Sequence, residues 1–455
     1  MKVTIIGAGS AAFWISWIRD LCVMKSAPGS TFSLVDVNKS RLDAVYDMAV
    51  RYAREVGVDV KFEKSEDRRA ALKDTDFVMN TAFVGGHDYT EKMRAVGEKH
   101  GYYRGIDSVD FNFVSDYYTT LGFKQYKLAL DIASDMEEIC PDAWLMQSAN
   151  PIFEVTTLLG RKRPKVKAIG FCDEYIAIYR FMRALGIDSK SAYFQVAGLN
   201  HCIWLTKFQR KDTGENLYPV IDEWTANRAP EFWRTHEIGL WQETLSPASV
   251  DMYKMYGLYP IGDTARSFTW KYHYDLETAK RWFGSLGGTD SEIGLRLRLA
   301  EFQKNVDTLF RLSNDPKASV TAEIPPTKGM DEFSDFIDTV TLGEEKRLVL
   351  NLPNRGILTQ FPEDLSIEVP TVVSKGGRLE PEKVDPFPKR LMNYVLTPRM
   401  LRMEWGLEAF LSGDREMLIE ILIRDPRTRS EKQARDAIDA ILSLPENRDM
   451  AAHYR

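Results

Sequence analysis

The stretch VTIIGAGSAA, Val3–Ala12, indicates how the first half of the chain folds. A β-branched run stops at Gly7–Ala12 and passes into an apolar, helix-like segment, Phe13–Met24. This strand, turn and helix fit the G-x-G-x-x-A pattern, whose glycines allow a tight turn and let the backbone approach a pyrophosphate at the helix N-terminus. The stretch therefore predicts a dinucleotide site that includes Gly7, Gly9, Ser10 and Ala11.

An acidic residue follows the next apolar run and indicates which dinucleotide is bound. The run Phe32–Val35 ends at Asp36. A carboxylate at this point can accept hydrogen bonds from a ribose diol and repels a 2′-phosphate, which favours NAD over NADP. A lone glycine motif is a weak signal, but the motif, its position and the acid together favour a nucleotide site over an ordinary turn.

Three further apolar runs end in polar or turn residues, as strands of a parallel sheet do. They are DFVMNTA, AWLMQSANP and KVKAIGFC, at residues 76–82, 143–151 and 165–172. Ligands of such sheets bind at the carboxyl ends of the strands. Asn80, Asn150 and Cys172 lie at these ends, so we expect them near a bound cofactor. The pattern predicts an α/β fold with a Rossmann-like NAD-binding domain at residues 1–195.

The second half, residues 196–455, is predicted to be an α+β domain packed on the first. VAGLNHCIWLTKF resembles a strand interrupted at residues 198–201, and SPASVDMYKMYGLYPIGDTAR resembles a helix followed by a Gly/Pro loop. Amphipathic helices are expected from Leu401 onward.

Composition narrows the class of protein. The 455 residues carry a net charge of −6 with no long run of one sign, which argues against a nucleic-acid or membrane-surface partner. The N-terminal apolar stretch leads into Ile18-Arg19-Asp20 and not into a small-residue cleavage site, and we find no transmembrane span. The four cysteines are too scattered for a disulfide framework, so we expect a reducing cytoplasm.

Two sets of residues could carry chemistry, and each also has an ordinary structural interpretation. Cys172 and His201 could hold a divalent ion if substrate hydroxyls and water complete the shell, or could be a buried thiol and a satisfied strand histidine. Tyr253, Tyr256 and Tyr259 recur at a three-residue spacing typical of a core stripe. They run into a loop whose Asp263 and Arg266 could act as a base and as an anion or hydroxyl anchor.

Several longer motifs give the chain a specific resemblance. They are GAGS, YYRGIDS, VSDYYT, ANPIFE, VAGLNHCIWL, DMYKMYGLYPIGDTAR, WKYHYDLETAKRWFG, RMEWGLEAF and IRDPRTRS, and they run nearly end to end. The chain resembles glycoside hydrolase family 4, the NAD- and divalent-metal-dependent glycosidases, and most of all its α-glucosidase and α-glucuronidase branch. The resemblance implies NAD and Mn²⁺ or another divalent metal as cofactors, and a second domain like the C-terminal part of lactate and malate dehydrogenases.

The same resemblance implies roles for individual residues. Cys172 and His201 become the metal ligands, and Asn150 and Asn200 become substrate or metal-shell groups. Further residues fall on positions that line the sugar site, namely Asp116, Asp263 and Arg266. The branch usually has His after the metal-binding Cys. This chain has Asp173, as the phospho-α-glucosidase members do, and in those members the Asp protonates the leaving group.

The implied reaction begins with hydride transfer from sugar C3 to NAD, which acidifies the proton on C2; elimination at C1, addition of water and return of the hydride follow. The base at C2 is either Asp263 or Tyr256. We expect an α-linked hexoside as substrate, either a glucoside or an anionic sugar such as a glucuronide or galacturonide, and a homodimer or homotetramer as the assembly. The alternatives are an NAD-dependent sulfoquinovosidase, a sugar or hydroxy-acid dehydrogenase, and a nucleotide sensor without catalysis.

Overall fold

The computed structural model describes residues 1–10, 12–102, 122–267, 270–330 and 332–455. Its strands are β1 (Lys2–Ile6), β2 (Ser30–Val35), β3 (Val60–Ser65), β4 (Phe77–Asn80), β5 (Trp144–Gln147), β6 (Lys167–Phe171), β7 (Ala192–Leu199), β8 (Cys202–Arg210), β9 (Tyr259–Ile261), β10 (Lys346–Pro353), β11 (Ser366–Ser374) and β12 (Arg378–Pro381).

The helices surround these strands. They are α1 (Trp14–Val23), α2 (Lys39–Val56), α3 (Arg68–Ala71), α4 (Gly86–Lys99), α5 (Gly122–Ile139), α6 (Ile152–Lys162), α7 (Ala177–Leu185), α8 (Tyr218–Glu223), α9 (Ala229–Thr235), α10 (Pro247–Tyr256), α11 (Thr264–Ser267), α12 (Leu276–Phe283), α13 (Glu292–Asn314), α14 (Val320–Glu323), α15 (Phe333–Leu342), α16 (Lys389–Leu391), α17 (Thr397–Ser412), α18 (Arg415–Ile423), α19 (Glu431–Leu442) and α20 (Arg448–His453).

The strands form one continuous sheet in the order β3-β2-β1-β4-β5-β6-β10-β11-β7-β8-β9, and β12 pairs with β11. The first six strands pair in parallel and the rest in antiparallel fashion. The strand order reverses at β1, between β2 and β4. In parallel sheets ligands bind in the crevice at this reversal, so the topology puts a cofactor site at the carboxyl end of β1.

The local expectations for the first half are confirmed. The helix expected over Phe13–Met24 is α1, and the predicted apolar runs contain β2, β4, β5 and β6. These strands are almost wholly buried because helices cover both faces of the parallel part. This burial explains why apolar and polar residues do not alternate along them. The predicted α/β class, with a Rossmann-like first half and an α+β second half, is confirmed.

The interrupted strand of the second half is a hairpin. β7 and β8 pair antiparallel, and Asn200 and His201 form the turn between them. His201 has a φ of 60°, which a residue other than glycine seldom adopts. Because β7 spans residues 192–199 and the sheet continues across it, the domain division at residues 195 and 196 stays a prediction.

The C-terminal helices return to the first half of the chain. α17 packs on α6, and α19 packs on α4. At the contact between α17 and α6, Arg399 donates a 2.7 Å hydrogen bond to Oε1 of the buried Glu154. In the described part of the chain, no helix combines the length and the apolar character needed to cross a membrane.

Candidate active site

The glycine turn is held tightly between the ends of two neighbouring strands. The backbone N–H groups of Gly7 and Ala8 donate to Val35 O over 2.9 and 3.0 Å. Gly7 has a φ of 83°, and a Cβ added there would lie 2.5 Å from the backbone of Ala82. Any larger residue would therefore push β1 away from the end of β4, which is a physical reason for glycine at this position.

Asp36 lies directly against this turn. Its Oδ2 accepts a 2.9 Å hydrogen bond from the backbone N–H of Gly9, and its Oδ1 accepts one of 2.8 Å from Asn38. The carboxylate is thus oriented at the end of β2, where the ribose of a bound dinucleotide would lie. Ser10 lines the adjoining cavity, whereas Ala11 lies outside the described residues.

The two asparagines expected at strand ends behave differently. The Asn80 amide donates to Gln147 Oε1 over 2.9 Å and accepts from Ala82 N over 3.2 Å, so both ends of its side chain already have partners in the protein. Asn150 lines the cavity, and its buried Oδ1 has no hydrogen-bond partner within the described residues. Asn150 is therefore the better placed of the two to receive a ligand.

A cavity of about 700 Å³ connects the glycine turn with the second half of the chain. Ser10, Ala12 and Phe13 line it from the turn. Other lining residues are Asn150, Cys172, Asp173 and Glu174 from the carboxyl ends of β5 and β6, and His201, Asp263 and Arg266 from the second half. Seven of the predicted site residues, although far apart in sequence, thus face one cavity: Ser10, Asn150, Cys172, Asp173, His201, Asp263 and Arg266.

Glu174 connects three of the elements that form this cavity. Its carboxylate accepts hydrogen bonds from the backbone N–H groups of His201, over 2.8 Å, and Asp263, over 3.2 Å. Gly262 has a φ of 62°, and a Cβ there would lie 2.7 Å from Glu174 Cβ, so the loop needs glycine to approach this closely. The carboxylate therefore positions both His201 and Asp263.

The charges around Asp263 keep it ionised. Burial opposes ionisation, but the Arg266 guanidinium, whose Nη2 lies 2.6 Å from Asp263 Oδ2, holds the pKa of Asp263 below its usual range. Arg266 is itself buried and also pairs with Asp290. Burial lowers the pKa of His201, so its imidazole is neutral near pH 7, which is the form that binds metals.

A thiol and two carboxylates form a compact group at the end of β6. Ligand atoms of Cys172, Glu174 and Glu368 all lie within 4.8 Å of one another. Burial and the Glu174 charge raise the pKa of the Cys172 thiol well above its usual value, so a bound cation is needed to make it a thiolate. One soft donor beside carboxylate oxygens suits a divalent metal such as Mn²⁺, with His201 lining the same cavity.

Sequence reasoning missed Glu174, Glu368 and Asn351 as site residues. Glu368 is fully buried in β11 and accepts hydrogen bonds from the Asn200 and Asn351 amides, over 2.9 and 3.0 Å. Its signal was present as a lone acid in the apolar strand LSIEVPTVV. Asn200 contacts this carboxylate and is not among the residues that line the cavity.

One of the two candidate bases, Tyr256, is not brought to the cavity wall. The half-buried Tyr256 packs edge to face on Trp204, with ring centroids 5.8 Å apart, and does not line the cavity. Asp116 lies outside the described residues.

The sequence matches models of one enzyme family over most of its length. Residues 2–187 match the family 4 glycosyl hydrolase model, and residues 196–428 match the model of the family 4 glycosyl hydrolase C-terminal domain. The chain belongs to glycosyl hydrolase family 4. The resemblance drawn from its motifs is thereby confirmed, and the protein is a glycoside hydrolase.

Related glycosidases match nearly the whole chain at low identity. The chain is 25% identical to the α-galactosidase of Bacillus subtilis over 442 residues, 96% of this chain and 95% of that protein. It is 24% identical to the α-galacturonidase of Thermoanaerobacterium saccharolyticum over 451 residues, 94% of this chain and 91% of that protein.

Solved structures of family 4 share the fold. A 6-phospho-α-glucosidase from gut microorganisms, solved with NAD and Mn²⁺, superposes with a TM-score of 0.77 at 16% identity, covering 99% of this chain and 98% of its own. The 6-phospho-β-glucosidase of Thermotoga maritima, solved with manganese, NAD⁺ and glucose-6-phosphate, gives 0.72 at 17% identity and covers 99% of both chains. Family 4 glycosidases are NAD- and metal-dependent.

Proposed function

We propose that this family 4 enzyme hydrolyses α-linked hexosides by transient oxidation of the sugar. The observation that carries the proposal is the single cavity in which a glycine turn suited to NAD faces Cys172, Asp173, His201 and Asp263. Ordinary glycosidases need two carboxylates and neither a nucleotide nor a thiol. A glycosidase site that has both a nucleotide-binding turn and a thiol is explained by elimination that a transient oxidation of the sugar assists.

In this scheme NAD, when bound, accepts and returns a hydride at sugar C3, and a divalent cation polarises the oxygens at C2 and C3. Asp263 then removes the proton from C2, which the ketone at C3 has acidified. Asp173 protonates the glycosidic oxygen as the bond to C1 breaks. Water adds to the resulting double bond, hydroxyl at C1 and proton at C2, so the sugar leaves hydrolysed and not oxidised.

The choice of Asp263 as base rests on its charge state and position. It lines the cavity and is ionised at neutral pH because of the Arg266 guanidinium. Burial raises the pKa of the Tyr256 phenol, which makes it a poorer base near pH 7. Asp173 is exposed at the end of β6, beside Cys172, where it can exchange protons with solvent between turnovers.

Arginines on the cavity wall suit an anionic sugar, and a nearby carboxylate offsets enough of their charge that a neutral sugar also fits. Arg180 and Arg298 both line the cavity, and the Trp241 ring lies 5.3 and 5.9 Å from the guanidinium carbons of Arg266 and Arg298. Asp290 offsets part of this charge, since its carboxylate lies 3.3 Å from Arg298. Neutral glucosides, uronides and sulfonated sugars therefore all belong in the substrate panel.

The test is a panel of α-linked aryl glycosides, neutral, uronic and sulfonated, assayed with NAD and Mn²⁺ in ²H₂O. We expect turnover with catalytic NAD, no net NADH, and deuterium at C2 of the product. Accumulation of one NADH per turnover would instead identify a dehydrogenase. Absence of any turnover across the panel, with NAD and Mn²⁺ bound, would contradict the proposal.

Assembly and compartment complete the proposal. We keep the prediction of a homodimer or homotetramer, which light scattering of the purified protein tests. A reducing cytoplasm is supported by the four cysteines, none of which forms a disulfide in the described residues. Fractionation of the source cells tests the compartment.

A further inference from the structure

We propose that Glu368 supplies a third protein ligand, through its carboxylate oxygen Oε1, to the divalent cation that Cys172 and His201 would hold. The inference rests on the proposed function, because the cation is the one expected in that site. It goes beyond the thiol and imidazole pair that the family resemblance implies, and it assigns a role to a strand in the second half of the chain.

The first observation is an oxygen without a donor. Glu368 is fully buried, and its Oε2 accepts hydrogen bonds from Asn200 Nδ2 over 2.9 Å and Asn351 Nδ2 over 3.0 Å. Its Oε1 is buried and has no hydrogen-bond partner within the described ranges. Leaving a buried carboxylate oxygen unpaired is costly, and a cation removes that cost.

The second observation is the distance to the thiol. Glu368 belongs to the group in which one ligand atom each from Cys172, Glu174 and Glu368 lies within 4.8 Å of the others. Two ligands of one metal ion, each about 2.0 to 2.3 Å from it, are at most about 4.6 Å apart. A shift of a few tenths of an ångström therefore suffices for Cys172 and Glu368 to share one ion.

The third observation concerns the two amides that hold Glu368. In the described part of the chain, Asn200 Oδ1 and Asn351 Oδ1 are also buried without a hydrogen-bond partner. The three linked side chains thus present three acceptor oxygens with no donor. One water donates at most two hydrogen bonds, so a single water cannot serve all three. A cation on Glu368 is the simpler explanation.

The chemistry of the ligand set agrees with this geometry. A thiolate is a soft ligand, whereas Mn²⁺ prefers oxygen, so Cys172 and His201 alone would favour zinc or copper over Mn²⁺. A carboxylate oxygen shifts the preference toward a harder ion. Because Cys172 follows β6 and Glu368 lies in β11, the ion would also connect the parallel and antiparallel parts of the sheet.

The experiment measures Mn²⁺ binding to the full chain with saturating NAD and no substrate, by the electron paramagnetic resonance signal of free Mn²⁺. We expect Glu368→Gln to weaken Mn²⁺ binding by about 10- to 100-fold. The matched control is Glu332→Gln, a half-buried acid that lines the cavity and lies outside the three-residue group. We expect the control to bind within about threefold of the wild type.

Substitution with Co²⁺ provides a second readout. In Glu368→Gln the thiolate-to-cobalt absorption should persist, while the visible cobalt bands change because one oxygen ligand is lost. Mn²⁺ affinity within about threefold of the wild type, together with an unchanged cobalt spectrum, would overturn the proposal and leave Glu368 as an acceptor for the two amides.

If Glu368→Gln does not retain NAD binding, crystals of the wild type with Mn²⁺ decide. A distance from the ion to Glu368 Oε1 of at most about 2.5 Å supports the proposal, and one beyond about 3.5 Å overturns it. None of these measurements requires turnover. Failure of the glycosidase proposal would appear in the substrate panel with metal binding intact, so the two failures are distinguishable.

Discussion

The Glu174 carboxylate accepts a 2.8 Å hydrogen bond from the backbone N–H of His201. The same carboxylate accepts from the backbone of Asp263 over 3.2 Å. Glu174, the residue after Asp173, thereby fixes two loops of the second half of the chain. The contact holds the backbone of His201, whose imidazole lines the same cavity as the thiol.

Glu174→Gln should disturb both loops. Glutamine offers one acceptor oxygen and turns an NH₂ group toward the other backbone N–H, which leaves a buried donor unsatisfied. We expect a loss of about 1–3 kcal/mol in the free energy of unfolding, with weaker Mn²⁺ binding and lower kcat. NAD affinity should not change, because the glycine turn is on other strands. Unchanged Mn²⁺ affinity and kcat would remove Glu174 as a positioning residue.

Cys172→Ser should abolish most metal-dependent activity. A serine hydroxyl is a harder and more weakly acidic ligand than a thiol, so we expect Mn²⁺ binding to fall by at least about 10- to 100-fold. NAD affinity, measured by calorimetry, is expected to stay at the wild-type value. Equal activity of mutant and wild type, each with and without chelator, would contradict the metal assignment.

Asp36→Asn should relax the choice of cofactor. The Asp36 carboxylate is held against Gly9, so its charge lies where a ribose 2′-phosphate would be. Neutralising it should raise the affinity for NADP and lower the affinity for NAD. The difference between the two binding free energies should shift toward NADP by about 1 kcal/mol or more. Titration of both nucleotides checks this. A wild type that already binds both equally would show that Asp36 does not select.

Asp173→Asn separates protonation of the leaving group from the redox half of the reaction. Hydrolysis of glycosides with basic alcohol leaving groups should fall by about 10²- to 10⁴-fold. Aryl glycosides with acidic phenol leaving groups need little protonation and should be much less affected. Exchange of the C2 proton with ²H₂O should continue, since it precedes departure of the leaving group.

Asp263→Asn is the matched variant for the Asp173 experiment, because loss of the base should abolish C2 exchange as well as hydrolysis. Tyr256→Phe should leave both within a few-fold of the wild type. Loss of exchange in Asp173→Asn, with equal loss for both leaving groups, would show that Asp173 shapes the metal or substrate site instead.

The stability of the protein should depend on pH through Glu332. Burial raises the pKa of Glu332 to about 8, despite the hydrogen bonds that it accepts from Tyr175 and Val349. Its value in the unfolded chain is about 4.3. Between these two values the folded chain holds a proton that the unfolded chain has lost, so the free energy of unfolding falls as pH rises.

Denaturant unfolding of wild type and Glu332→Gln from pH 5 to pH 9 measures this effect. The stability of the wild type relative to the variant should fall from pH 5 to about pH 8, by at most about 1.4 kcal/mol per pH unit, and then level off. A difference that does not change with pH would mean that Glu332 titrates near its ordinary value in the folded protein.

The predictions for the cofactor half of this protein rest on local sequence patterns. Gly7, Gly9 and Asp36 could be predicted because a strand, its turn and the following helix are contiguous, and the pattern that encodes them is local. The motifs around Cys172 and His201 likewise identified the enzyme family. Each of these inferences needed only residues that are close along the chain.

The groups that surround the thiol follow from the folded structure and not from any local pattern. Glu368 lies 196 positions after Cys172. It comes near the thiol because β10 and β11 extend the sheet beyond β6, a pairing that no local periodicity specifies. The strand pattern left the acid of β11 as an exception, and left the base open between Asp263 and Tyr256. Long-range strand order and burial bring Asp263 to the cavity and Tyr256 against Trp204, which supports Asp263 as the proposed base.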